Sequence, residues 1–162
     1  MKTVTLIRHA KSSWEHELQD VERPLSARGY SDANLLSKIL SDTTFQPDAV
    51  FSSPANRALT TCTIFIDALK LDRKQLTIKD ELYDFEGRQV VNFIRNLDNS
   101  LHDILIFGHN NAFTAIANNY GDEYVDNVPT CGLVKIQFET NTWENIDKGH
   151  TILTLFPSHL KS

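Results

Sequence analysis

A chain of 162 residues, 41% apolar and 23% charged, has the length and balance of a single soluble globular domain spanning residues 1–162. Its net charge of −5 argues against general binding to nucleic acid or to an anionic membrane surface, so any anion site must be built locally from a few placed cations. No apolar run approaches the roughly 20 residues a bilayer span requires, no secretory signal pattern opens the chain, and Cys62 and Cys131 form no C-x-x-C pair; a cytoplasmic protein with two buried thiols is expected.

The elements follow a strand, loop, helix rhythm. Thr3 to Ile7 is rich in β-branched and apolar residues and reads as a buried strand. A polar loop runs from about Lys11 to Leu25. Ser26 is the natural N-cap of a helix that carries Leu35, Leu36, Ile39 and Leu40. Asp48 to Phe51 reads as a second strand. Ser53-Pro54 then opens a helix bearing Leu59, Cys62, Phe65, Ile66 and Leu69, with Ser as cap and Pro in the first turn where its missing N–H costs nothing.

A short strand near Leu76 to Ile78 precedes a helix from about Gly87 to Leu97 with Val90, Val91, Ile94 and Leu97 on its apolar side. Ile104 to Phe107 is a fully apolar strand that runs into Gly108-His109-Asn110 and a helix holding Phe113, Ile116 and Ala117. Leu133 to Glu139 alternates apolar and polar residues, as a half-exposed antiparallel strand does. Thr140-Asn141 is a turn into a strand around Trp143, and Thr151 to Phe156 is a last strand. The predicted architecture is a three-layer αβα sandwich with a mostly parallel sheet and an antiparallel edge.

In open parallel sheets, ligands bind beyond the carboxyl ends of the strands. Arg8-His9 follows the first strand, Ser52-Ser53 with Arg57 one helical turn on follows the second, and Gly108-His109-Asn110 follows the strand at Ile104 to Phe107. Two arginines and two histidines are thus delivered to one edge. Guanidinium groups bind phosphate oxygens bidentately and stay charged. Helix starts near Pro54 and Asn110 add free N–H groups. A neutral imidazole can attack phosphorus and carry it covalently, while a second can give a proton to a phosphate oxygen.

These blocks resemble a known family. Leu6-Ile7-Arg8-His9-Ala10, then Ser52-Ser53-Pro54 with Arg57 to Thr61, then Phe107-Gly108-His109-Asn110 are similar in order and spacing to the signatures of the histidine phosphatase superfamily, which includes the phosphoglycerate mutases. The short length and Glu22-Arg23-Pro24-Leu25-Ser26 with Gly29 look most like the small bacterial phosphohistidine phosphatases of the SixA type. The resemblance implies a phosphoglycerate mutase-like fold with His9 as nucleophile. It implies Arg8, Arg57 and His109 around the phosphate, with Arg23 and Asn110 in the same pocket, and Ser13 and Trp14 in a looser match to pocket-lining positions. Ala10 stands where glycine is usual, and Asn111 where proline is common.

Many members place an acidic proton donor at the position that falls here on Asp84. Asp84 equally reads as a loop residue near the start of the next helix, where negative charge is favourable. His16, His102, His150 and His159 lie in polar stretches without metal-ligand spacing, so neither metal nor cofactor is expected. The expected activity is that of a metal-independent phosphatase acting through a phosphohistidine intermediate, with phosphohistidine on a partner protein as substrate. The alternatives are a phosphatase for a small phosphorylated metabolite and, in another class, a weakly catalytic phosphate-binding adaptor.

Overall fold

The computed structural model describes residues 1–15 and 17–160; His16, read as a surface residue, lies outside them. In chain order it contains β1 (Lys2–Arg8), α1 (Ala27–Ser41), β2 (Ala49–Ser52), α2 (Asn56–Ala68), β3 (Leu76–Ile78), α3 (Arg88–Arg95), β4 (Asp103–Gly108), α4 (Ala112–Tyr120), β5 (Leu133–Phe138) and β6 (His150–Leu155). The strands form one sheet in the order β3-β2-β4-β1-β5-β6. The pairs β2/β3, β2/β4 and β1/β4 are parallel, while β1/β5 and β5/β6 are antiparallel. This is the predicted mixed sheet.

Alternation along the strands divides the core between the two faces. Ile7, Val50, Leu105, Phe107 and Leu133 point to one side and pack with Ala33, Leu36 and Leu40 of α1 and Cys62, Phe65 and Ile66 of α2. Val4, Leu6, Phe51, Ile104 and Ile106 point to the other and pack with Val90 and Ile94 of α3 and Phe113, Ile116 and Ala117 of α4. Cys62 and Cys131 are both buried as thiols.

Register decides where the chemistry sits. Arg8 pairs with Gly108, and Ser52 pairs with Phe107, so the carboxyl ends of β1, β2 and β4 finish level. The loop beyond β1 is held by Gly29 of α1, where an added Cβ would stand 2.1 Å from the Lys11 carbonyl oxygen. Only glycine allows that approach, two residues past His9. Ser26 caps α1 as expected, accepting from Gly29 N–H.

Three expectations need correction. The segment around Trp143 is a 3-10 turn, Trp143–Asn145, rather than a strand. The indole is fully buried and its Nε1–H donates to the Leu101 carbonyl at 2.9 Å, which satisfies ring and N–H together, while β5 and β6 pair directly. The buried side of α1 carries Asp32, Ala33, Leu36, Ser37 and Leu40, leaving Leu35 and Ile39 half-exposed. Finally, α2 begins at Asn56 rather than at Pro54, and Ser53 accepts from Ala55 N–H just before it.

Candidate active site

His9 leaves the end of β1 with its N–H donating to the Gly108 carbonyl of β4. Cys131 N–H donates back to the Arg8 and His9 carbonyls, and Arg8 N–H to the Gly132 carbonyl. The nucleophile candidate is therefore fixed by backbone on both flanks. Ala10 N–H donates to the Thr61 hydroxyl of α2 at 2.9 Å, and that hydroxyl donates to the Arg57 carbonyl at 2.8 Å. One residue thus ties the turn after His9 to the helix that carries Arg57.

The His9 ring is 7% exposed. Its Nδ1 stands 2.7 Å from the Ala10 carbonyl oxygen, which can only accept, so Nδ1 carries the proton and Nε2 keeps a lone pair. Burial, joined by the charges of Arg57, Arg8 and Arg23, pushes the imidazole down to about 4, against the pull of that carbonyl. The ring is therefore held neutral at physiological pH, with a lone pair on Nε2.

His109, at the end of β4, lies with its ring centroid 5.3 Å from that of His9. Its Nε2 is hydrogen-bonded to the Ser53 hydroxyl at 2.8 Å. Tyr83 and Phe85 pack edge-on or tilted against it, at 5.3 and 4.9 Å between centroids. Burial, with His9, Arg57 and Arg8 beside it, lowers this imidazole to about 3.

The arginines are held by oxygens. Arg8 donates from Nη1 to the Val128 carbonyl at 2.9 Å. Arg57, 2% exposed, donates from Nη1 to the Asp20 carbonyl at 2.6 Å and from Nη2 to the Asp20 carboxylate at 2.9 Å. Arg23, 7% exposed, donates to the same carboxylate at 3.2 Å and to the Ser12 hydroxyl at 2.7 Å. The Trp14 indole covers its guanidinium at 3.4 Å. Three buried nitrogens of this set have no partner: Arg8 Nε, Arg57 Nε and His109 Nδ1. Buried polar nitrogens are rarely left so.

Asp20 is the residue that sequence reading missed. Its carboxylate bridges Arg57 and Arg23 and accepts from the Tyr83 hydroxyl. Desolvation works to raise it, but the bonds from Tyr83 and Arg57 and the charge of Arg57 prevail and hold it at about 2. A loop acid three residues before Arg23 was the one signal available, since that spacing closes a turn. Ser53, read as a helix cap within the second block, also holds His109.

Two expected site residues are turned elsewhere. Asp84, expected as candidate proton donor, accepts at Oδ1 from Glu86 N–H and at Oδ2 from Gly87, Gln89 and Val90 N–H, all at 3.0–3.1 Å. It satisfies the free amides that open α3, as its alternative reading had it. Asn110, expected at the phosphate, accepts at Oδ1 from the Thr114 amide and hydroxyl and donates from Nδ2 to Asn127 at 2.8 Å. Its side chain anchors α4 and the segment around residue 127. Asn111 precedes α4 and its carbonyl accepts from Ala115 N–H, so the helix starts without the usual proline.

His102, His150 and His159 are exposed and outside the site. Among the described residues, no three His, Cys, Asp or Glu side chains are grouped as a metal site. No helix among them is long and apolar enough to cross a membrane.

The model of the histidine phosphatase superfamily (branch 1) matches residues 4–89. An uncharacterised chloroplastic protein of Arabidopsis thaliana is 26% identical over 154 residues, covering 88% of this chain and 69% of its own. Among solved structures, the protein histidine phosphatase SixA complexed with tungstate superposes with a TM-score of 0.83 at 20% identity, covering 98% of this chain and 99% of that one. A protein assigned as a SixA phosphohistidine phosphatase from Agrobacterium tumefaciens gives 0.78 at 23% identity, with coverages of 95% and 97%. A mycobacterial glucosyl-3-phosphoglycerate phosphatase gives 0.66 at 9% identity, with coverages of 94% and 97%. These structures share the fold.

Proposed function

The chain belongs to the histidine phosphatase superfamily (branch 1), and from that premise we propose that it is a metal-independent phosphatase that forms a covalent phosphohistidine on His9 and acts on phosphohistidine of a partner protein. The observation that carries this reading is a set of three unpartnered buried nitrogens, Arg8 Nε, Arg57 Nε and His109 Nδ1, on residues that neighbour a histidine whose Nε2 has no recorded partner. A phosphoryl group supplies the oxygens such nitrogens need.

In the cycle, the arginines and His109 hold the phosphoryl oxygens and spread the charge that builds as the bond breaks. His9 Nε2 attacks in line, the bond from phosphorus to the leaving group breaks, and the leaving group departs with a proton. Water then cleaves the phosphorus–nitrogen bond on His9 and releases phosphate. Three guanidinium groups do the work a metal would do.

The choice of substrate rests on the absence of an evident acid among the site's carboxyl groups. Asp84 is occupied by the amides of α3, and Asp20 is ionised down to about pH 2. An alkyl alkoxide leaving group needs a positioned acid, whereas phosphohistidine protonated on its other ring nitrogen releases a neutral imidazole without one. The fold is shared with proteins named as phosphohistidine phosphatases and also with one named as a glucosyl-3-phosphoglycerate phosphatase, so the substrate is decided by assay. Kinetics on phosphohistidine protein, phosphoramidate and sugar phosphates test it. Efficient turnover of one sugar phosphate with none on phosphohistidine protein would replace the substrate and leave the mechanism standing; phosphate binding without any turnover would favour the adaptor. A cytoplasmic setting fits the two buried thiols.

A further inference from the structure

Ser53 is fully buried at the end of β2, and its hydroxyl has two recorded bonds. Ala55 N–H donates to it at 3.2 Å, which uses an oxygen lone pair. Its own proton must also find an acceptor, because a buried hydroxyl left without one is costly. The neighbour 2.8 Å away is Nε2 of His109.

We propose that Ser53 is a positioning residue: its hydroxyl donates to Nε2 of His109, and this fixes the imidazole in the form that carries its proton on Nδ1. The alternative form, with the proton on Nε2, would give Ser53 two donors and no acceptor, and would turn a bare Nδ1 lone pair toward the phosphoryl oxygens. With the proton on Nδ1, the orphaned buried nitrogen of His109 becomes an N–H donor among two unpartnered guanidinium N–H groups. The whole set then has one sign of hydrogen bond, as a phosphoryl group requires.

The consequence is a division of labour between two rings protonated at the same atom. His9 gives its Nδ1 proton to a backbone carbonyl and offers a lone pair at Nε2. His109 takes a proton from Ser53 at Nε2 and offers N–H at Nδ1. The two rings face the phosphoryl group with opposite ends. Both stay neutral through the physiological range, so the arrangement depends on hydrogen bonding and not on charging either ring.

This rests on the phosphatase reading for its catalytic consequence, but the tautomer is measurable without substrate. The test is nitrogen NMR of the histidine side chains in the full-length protein, unmodified and with Ser53→Ala, with inorganic phosphate as probe. The unmodified protein should show His109 protonated on Nδ1, and phosphate should shift that N–H signal. Ser53→Ala should show a mixture of tautomers and a kcat lower by about 10- to 100-fold, the usual effect of removing an outer partner that orients a histidine, with little change in KM. Rate loss with KM unchanged and the pH profile unmoved is not what a merely loosened fold produces. Protonation of His109 on Nε2 in the unmodified protein overturns the proposal whatever the kinetics, as does a Ser53→Ala variant with the parent's tautomer and the parent's kcat. Absence of turnover by the unmodified protein on every substrate would instead strike the phosphatase reading and leave the NMR result to decide this one.

Discussion

His9 and His109 lie with ring centroids 5.3 Å apart and planes inclined by 54°, each one residue past the end of one of two neighbouring parallel strands whose ends are in register. Burial first, then the charges of Arg57 and Arg8, disfavours protonation of both rings, and His9 adds to that effect on His109. Their separate contacts, Ala10 carbonyl for one and Ser53 hydroxyl for the other, give them different work.

Replacing the nucleophile is the first check. His9→Ala should abolish turnover and leave the fold intact, since the ring packs in the site and not in either main apolar cluster. Mass spectrometry after an alkaline quench of the unmodified enzyme should find phosphate on the peptide that contains His9. Activity retained by the alanine variant would end the covalent assignment.

Chelation tests the metal-free reading. Arg8, Arg23 and Arg57 supply the positive charge, so EDTA should leave the rate unchanged. A loss with chelator that a divalent ion restores would contradict it.

Asp20 offers a sharper test, because it is the counter-charge of both Arg57 and Arg23. Asp20→Ala should free the guanidinium groups to swing, and kcat should fall by about 10- to 100-fold, as positioning losses do. KM should not rise, because removing a negative charge beside the anion site favours anion binding. A raised KM with normal kcat would mean that Asp20 contacts substrate directly.

How far the sequence led follows from how local each signal is. Arg8, His9, Arg57 and His109 could be placed near one another because each sits at or soon after the end of an apolar strand, and a parallel sheet brings such positions together. Asp20 meets Arg57 across 37 residues and Tyr83 across 63, contacts that no local pattern encodes. Asp84 and Asn110 lie in the right loops, but the orientation of a short polar side chain there depends on which backbone amides are left open, and helix starts claimed both. Trp143 failed for a related reason: an aromatic in a β-rich stretch reads as strand until the cavity that takes the whole ring is known.

Stability should depend on pH in a defined window. His9 and His109 stay neutral in the fold down to about 4 and about 3, while the unfolded chain protonates both near 6.5. The unfolded state therefore binds more protons below 6.5, and each histidine should remove roughly 1.4 kcal/mol per pH unit as pH falls through the window. Asp103 acts in the opposite direction, because burial raises its carboxyl to about 6 and the fold then binds a proton that the unfolded chain lacks. Urea unfolding at a series of pH values should show the acid loss, and His109→Gln should flatten the slope by about one proton. An unchanged slope in that variant would mean His109 is protonated in the fold.

The role of Asp84 can be settled by comparing leaving groups. Both of its oxygens are engaged by four N–H groups at and just before the start of α3, and the residue is 6% exposed. Asparagine in its place keeps one acceptor oxygen and puts an NH2 against donors, so Asp84→Asn should lower stability by about 1–3 kcal/mol, the cost of leaving buried amides unsatisfied. The activity that remains should fall by the same modest factor on a sugar phosphate, on nitrophenyl phosphate and on phosphohistidine protein. A proton donor would behave otherwise: an alkyl alkoxide needs a proton as its bond breaks, and losing a positioned acid typically costs about 10²–10⁴-fold in that step. Nitrophenolate needs little help, and protonated phosphohistidine already holds its proton. A loss confined to the sugar phosphate, with the thermal midpoint unchanged, would therefore show that Asp84 leaves α3 during the reaction and donates to the leaving group. An equal loss on all three substrates, tracking the loss of stability, identifies it as the anchor of α3, and with it of the loop that holds Tyr83 and Phe85 against His109.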